Sequence, residues 1–302
     1  MPKKIARSGL RVAVVALIGV GTWRYVGSRP LSGTLERQLV VDGVTRTYLL
    51  HATGAAKPGR ALVLVLHGWG GRGASIERRT RGAFDERADR DGAVVAYPEA
   101  LGEPRRWNDG WVRPAPGASL PDDVTFVARL VDALVAELGV DRRRVFATGH
   151  SNGAAMVYRL ACERPDLVAA IAPISGGMPP DVARACADGA PVSLLGMHGT
   201  ADRVVPFDPS ITAGVAAWAR RDGCATVPLL SALPDLDPGD GTRTRVQTFP
   251  SCAAGAEVAF YTIEGGGHTW PGGAWTVRRG NTARDFDAGV VIWNFFARHA
   301  RR

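Results

Sequence analysis

Lysine is nearly absent from this chain of 302 residues, occurring only as Lys3, Lys4 and Lys57. Arginine carries the positive charge instead, which reads as codon bias and not as function. Cysteine is also scarce. The four present, Cys162, Cys186, Cys224 and Cys252, form no Cys-x-x-Cys pair, and no histidine-rich spacing accompanies them. No zinc site, other metal or cofactor is therefore expected. No internal repeat is apparent. Residues 1–30 contain no acid. They hold Lys3, Lys4, Arg7, Arg11, Arg24 and Arg29, which account for all but two of the eight net positive charges. Elsewhere arginines are interleaved with acids, as between Arg81 and Arg90. Such a surface is solvated, and it is not the one-signed footprint that nucleic-acid binding needs.

The apolar fraction of 46% is enough for a real core. The basic N-terminus runs into an apolar stretch from Val12 to Trp23, 12 residues long. That length suits the h-region of an export signal and is short for a membrane span. No small-x-small cleavage site precedes Arg24, so residues 1–30 are expected to be a signal peptide or an uncleaved membrane anchor. Either places the rest of the chain outside the cytoplasm, secreted or periplasmic. An even cysteine count in an exported chain then suggests two disulfides with three possible connectivities. Cys162–Cys186 and Cys224–Cys252 are favoured because each closes a local loop.

The chain is organised around Val145-Phe146-Ala147-Thr148-Gly149-His150-Ser151-Asn152-Gly153. An apolar strand runs into Gly-x-Ser-x-Gly, and the helical pattern Ala154 to Leu160 follows at once. This is the setting of a nucleophile elbow. The bend is tight, so the residues two before and two after the serine must be small. It pushes the Ser151 hydroxyl clear of the sheet and leaves the Asn152 N–H, at a helix start, free to donate to an oxyanion.

Around this stretch, strands and helices alternate. Leu35–Val41 and Val44–His51 flank Asp42-Gly43, a hairpin signal. Ala61 to Leu66 is a continuous apolar run, as a strand buried on both faces should be. A helix over about 75–90, a strand at Ala93–Tyr97 and an amphipathic helix capped by Asp122 or Asp123 come next. Beyond the elbow, strands are expected at Leu167–Ile174, Val192–Met197 and Ala256–Ile263, with a helix at 208–221 and an irregular excursion at 225–241. A closing helix carries Phe286, Ile292, Trp293 and Phe296. The pattern predicts one α/β domain over about 33–300, a doubly wound and mostly parallel sheet with an antiparallel hairpin at its N-terminal edge.

Ser151 needs a base, and the base needs an orienting carboxylate. Of six histidines, His268 follows the last strand after three glycines, whose loop can fold over the elbow. His67 and His150 suit loop packing, and His198 heads the turn of the acid. Asp202, at the carboxyl end of the strand between those of Ser151 and His268, is the expected acid; Asp208 is the alternative, and Glu264 lies too near His268 along the backbone. The Ser…Asp…His order is that of α/β-hydrolases. The second oxyanion donor is expected in His67-Gly68-Trp69-Gly70-Gly71, as the N–H of Trp69.

Six blocks then carry a resemblance. They are Leu66-His67-Gly68-Trp69-Gly70-Gly71, Tyr97-Pro98-Glu99, Arg106-Trp107-Asn108, Gly149-His150-Ser151-Asn152-Gly153, His198-Gly199-Thr200-Ala201-Asp202 and Gly266-Gly267-His268-Thr269-Trp270-Pro271-Gly272. With them the chain resembles the secreted polyhydroxybutyrate depolymerase and feruloyl esterase family, related to family 1 carbohydrate esterases. The resemblance implies an α/β-hydrolase fold and ester hydrolysis by Ser151, His268 and Asp202. It departs where some members carry a separate carbohydrate- or polymer-binding module. Trp69, Trp107, Trp111, Trp270 and Trp275 fall in loops after strand ends and suggest an aromatic-edged cleft, with Trp107, Asn108 and Trp270 as candidate substrate contacts. The expected partner is a small or polymeric ester: feruloyl, acetyl or hydroxyalkanoate. An acyltransferase using a sugar or lipid hydroxyl as acceptor is the alternative, and a non-catalytic binding protein is disfavoured because all three triad positions are filled.

Overall fold

The computed structural model describes residues 33–55, 57–111, 113–114, 119–186, 189–274 and 279–301. The proposed signal or anchor segment and Trp275 lie outside them. No helix among the described residues is long and apolar enough to cross a membrane.

The sheet begins with a hairpin, β1 (Thr34–Val41) and β2 (Val44–Ala52), antiparallel and in register from Thr34 opposite His51. Asp42 (φ 49°) and Gly43 (φ 79°) both take the left-handed conformation that a two-residue hairpin turn demands. Then come β3 (Arg60–Leu66), α1 (Gly73–Arg79), α2 (Ala83–Asp91), β4 (Val94–Pro98) and α3 (Asp123–Leu138). The elbow joins β5 (Val140–His150) to α4 (Asn152–Glu163). After it follow β6 (Ala170–Ile174), α5 (Pro180–Ala185), β7 (Ser193–Gly199), α6 (Pro209–Arg221), β8 (Leu229–Ala232), β9 (Arg243–Phe249), β10 (Val258–Glu264) and α7 (Ala288–Ala297).

The strands lie side by side in the order β1-β2-β4-β3-β5-β6-β7-β10-β9-β8. From β4 to β10 all pairings are parallel. Every residue of β3 is buried, because helices cover both faces. Leu62, Leu64 and Leu66 enter one core with Phe126, Leu130, Met156 and Trp218 of α3, α4 and α6. Val63 and Val65 enter the other with Ile76, Phe84, Ile292 and Phe296 of α1, α2 and α7. That alternation is the doubly wound α/β-hydrolase arrangement.

Two details differ from the sequence expectation. The helix over 75–90 is two helices, because Arg81 (φ 57°) and Gly82 (φ 69°) break it. The stretch after α6 is not merely irregular: β8 and β9 extend the sheet past β10 and make its far edge antiparallel too. Strand β9 exposes Arg243 and Arg245 and buries Thr244 and Val246 between them, a period of two that its polar composition disguises.

The cysteines pair as Cys162–Cys186 and Cys224–Cys252, separated by 24 and 28 residues. The first ties α4, which begins at Asn152, to the end of α5. The second ties the end of α6 to the loop before β10.

Candidate active site

Ser151 sits between β5 and α4 with φ 60° and ψ −121°. A non-glycine residue reaches this region only where its surroundings impose it. The neighbours supply the constraint. A Cβ on Gly149 would collide with the carbonyl of Gly153. One on Gly153 would lie 2.6 Å from the carbonyl oxygens of both Leu66 and His67. Glycine at these two positions lets strand, bend and helix close on one another and on the end of β3.

The loop after β3 packs directly on the bend; a Cβ on Gly68 would stand 3.2 Å from the Cβ of Ser151. Gly70 N–H donates to Arg105 O (2.8 Å) and Gly71 N–H to Gly68 O (2.9 Å). His67, 1% exposed, locks the loop. Its Nε2 accepts from the Ala100 N–H (3.1 Å), so its proton is on Nδ1 and is donated to Gly68 O (2.7 Å). Burial, with the charges of Arg105 and Arg72, outweighs that hydrogen bond and lowers its pKa to about 4, so the ring is neutral. Among the described residues the N–H groups of Trp69 and Asn152 have no hydrogen-bond partner.

The side chain of Asn152 faces away from this chemistry. Its Oδ1 accepts from Trp107 N–H (2.8 Å), and its Nδ2 donates to Trp107 O (3.2 Å) and Asp109 Oδ2 (2.6 Å). Trp107 Nε1–H donates to His67 O (2.9 Å). One strut thus joins the two loops that carry the candidate oxyanion donors. Asp109, raised in pKa by burial, is a member that the sequence reading did not single out. The only signal for it is its place just after Arg106-Trp107-Asn108.

The candidate base and acid meet across two loops. His268, fully buried, donates Nδ1–H to Asp202 Oδ2 (2.7 Å). Asp202 Oδ1 accepts from Val204 N–H (2.8 Å) and Val205 N–H (2.9 Å). Burial alone would raise the Asp202 pKa. The hydrogen bond and charge of His268 and the two N–H groups outweigh it and hold the carboxyl below the usual range. His198 stands 3.5 Å from the same carboxylate but is bonded through Nε2 to Val205 O (2.9 Å). Nε2 of His268 has no hydrogen-bond partner among the described residues, so the Ser151–His268 bond is not closed. Such contacts are often long in free enzymes and tighten with substrate. The His268 ring packs 4.6 Å from that of His150, the residue before Ser151. His150 is itself buried and held neutral, by desolvation first and then by the charges of His268, Arg79 and Arg279. The alternative acid, Asp208, caps α6 through Ser210 N–H (2.8 Å). Glu264 pairs with Arg245 (2.8 Å).

A cleft of about 370 Å³ opens over Ser151, lined among others by Trp69, Ile76, Arg79, His150, Val204 and Arg279. That is the low end of the size range for small-molecule sites. The tryptophan expectation needs correction here. Trp107 is fully buried and Trp270 is 2% exposed, packed edge-on against Phe84. Neither ring offers a surface to a ligand. Asn108 is held by Asp123 Oδ2, Pro121 O and Arg159. Of the tryptophans described, only Trp69 lines the cleft, 60% exposed with the Arg106 guanidinium 5.0 Å from its ring.

Comparison with known proteins bears on this arrangement. The family described as esterase PHB depolymerase matches residues 46–207. "Putative esterase NocK" of Nocardia uniformis subsp. tsuyamanensis is 35% identical over 86% of this chain and 81% of its own length. "Probable feruloyl esterase C" of Aspergillus flavus is 29% identical over 94% and 97%. Among solved structures, the acetyl xylan esterase from Aspergillus awamori superposes with a TM-score of 0.62 at 16% identity, covering 87% of this chain and 99% of its own. That last likeness is one of fold.

Proposed function

The chain belongs to the esterase PHB depolymerase family and is a carboxylic ester hydrolase, and from that premise we propose that it is a secreted serine esterase working through Ser151, His268 and Asp202. His268 Nε2 takes the Ser151 proton as Oγ attacks the ester carbonyl carbon. The carbonyl oxygen, now an anion, accepts from the N–H groups of Trp69 and Asn152. Collapse breaks the bond to the alcohol, which leaves with the proton from His268 and leaves an acyl-enzyme. Water, deprotonated by His268, repeats the sequence and frees the acid. Asp202 stays ionised, fixes the tautomer and stabilises the imidazolium. The observation that carries this reading is the 2.7 Å Asp202–His268 bond, which leaves Nε2 as the unpartnered nitrogen beside the elbow.

The two disulfides support export, because such bonds persist in oxidising compartments. Hydroxyalkanoate, feruloyl and acetyl esters are the substrates considered; the family description points to the first and the name of the Aspergillus flavus relative to the second. A serine-reactive phosphonate tests the mechanism. It should label Ser151 and abolish hydrolysis of 4-nitrophenyl butyrate. Full activity in Ser151→Ala, or labelling at another residue, overturns it.

A further inference from the structure

The cleft over Ser151 carries charge of one sign. Its lining includes two guanidinium groups, Arg79 and Arg279, and no carboxylate. Arg79 ends α1, and its carbonyl accepts from Ala274 N–H (2.8 Å). Arg279 lies in the loop that supports the base, and its carbonyl accepts from His268 N–H (2.9 Å). Two segments far apart in sequence thus bring a half-buried and an exposed guanidinium to one cleft. Among the described residues neither forms an ion pair, and residues 275–278, just before Arg279, contain no acid. Of the acids near the cleft in sequence, Glu99 is engaged with Arg105 (3.1 Å) and Gly73 N–H (3.1 Å), Glu77 with Thr34 (3.2 Å) and Asp202 with His268 (2.7 Å), while Glu103, before Pro104, is exposed and does not line the cleft. Burial and the charge of Arg279 both depress the Arg79 pKa, which shows the two cations in each other's field. A guanidinium drawn partly out of water gains from a counter-ion. Each guanidinium presents the fork of N–H groups that pairs with a carboxylate.

We propose that Arg79 and Arg279 form a carboxylate-binding subsite, so that the ester hydrolysed at Ser151 is itself an anion. This rests on the esterase mechanism above and narrows its substrates. A hydroxyalkanoate oligomer ends in a free carboxylate; an acetylated neutral sugar has none.

Two matched ester pairs test it, with the free carboxylate on the acyl side or on the alcohol side. Monophenyl adipate is compared with phenyl hexanoate, and 3-(butanoyloxy)propanoate with propyl butyrate, at low and high salt in a pH-stat. For at least one pair the native protein should favour the anion in kcat/KM by about tenfold or more, as a charge-assisted hydrogen bond provides. The favoured pair identifies the side. Salt should erode the preference. The ratio should collapse in the double variant Arg79→Gln, Arg279→Gln, mainly through KM, and persist in part in Arg79→Lys, Arg279→Lys. A ratio is internal to each preparation, so a partly unfolded variant still reports it. A native ratio near one for both pairs, or an unchanged ratio in the double Gln variant, overturns the subsite. Undiminished turnover in Ser151→Ala would instead remove the mechanism beneath it, and the subsite with it.

Discussion

Replacing Asp202 with Asn exchanges one oxygen for an NH2 group and forces a choice. In the native protein both oxygens are used, Oδ1 by the N–H groups of Val204 and Val205 and Oδ2 by Nδ1–H of His268. If the amide oxygen stays on the backbone donors, the NH2 faces His268. Nδ1 must then accept, the ring proton moves to Nε2, and the base can no longer take a proton from Ser151. A wrong tautomer of this kind lowers kcat by about 10⁴ with the fold intact. If the amide turns over, its oxygen serves His268, but the NH2 is set against two N–H donors. Two part-buried hydrogen bonds to a charged acceptor go, at about 1.5–3 kcal/mol each. Melting should then fall by about 10 °C, at roughly 2–4 °C per kcal/mol for a domain of this size. The assay is kcat/KM on 4-nitrophenyl butyrate with a thermal melt on the same sample, and one of the two losses is expected. The reasoning is refuted if Asp202→Asn keeps more than about a tenth of native activity and melts unchanged, well short of the 10⁴ loss. Inactivation by Asp208→Asn would point to the alternative acid. The sign of the pH effect follows from the same bonds. A depressed carboxyl contributes stability that is complete above its unfolded value, about 3.9, and is lost as pH falls through the lower folded value.

Trp107→Phe removes the hydrogen bond to His67 O and leaves that buried carbonyl unpaired, at about 1–3 kcal/mol. Melting temperature and kcat should fall while KM for a small ester holds; a selective rise in KM would restore Trp107 as a substrate contact. The pair Cys224→Ser, Cys252→Ser opens a loop of 28 residues and should cost about 3–4 kcal/mol, read as a lower denaturant midpoint. His67 has its folded pKa lowered to about 4, so it binds fewer protons than in the unfolded chain between that pH and about 6.5. Wild type should therefore lose about 3 kcal/mol relative to His67→Gln as pH falls across that window, and a pH-independent difference in melts would contradict the neutral tautomer.

The central strands and the elbow could be read from sequence because each obeys a local rule. Continuous apolar runs mark strands covered on both faces, and Gly149 and Gly153 flank a bend that tolerates little else. The Asp202–His268 pairing was accessible through chain order, since the residues stand 66 apart and meet only through topology. Strand β9 escaped because Arg-Thr-Arg-Val-Gln-Thr-Phe is mostly polar, and its pairing with β10 depends on a partner that sequence does not reveal. Trp107 misled for a different reason. A loop tryptophan after a strand end can face solvent or turn inward, and the choice rests on whether its N–H finds an acceptor, here a carbonyl 40 residues away. Arg79 and Arg279 carried no sequence signal at all, because their meaning lies in the acids that are not beside them.

The contact of Gly153 with the carbonyls of Leu66 and His67 limits how this protein can change. It makes the proposed nucleophile and the loop bearing the proposed second oxyanion donor one mechanical part. Substitutions on either side should show strong epistasis, and neither can be retuned alone without misaligning the other. Variation in substrate preference is then channelled to the rim, where the side chains of Trp69, Val204 and Arg279 hold exposed surface. A mutational library directed at 66–68 and 149–153 should be mostly dead, and one directed at the rim mostly alive with altered selectivity.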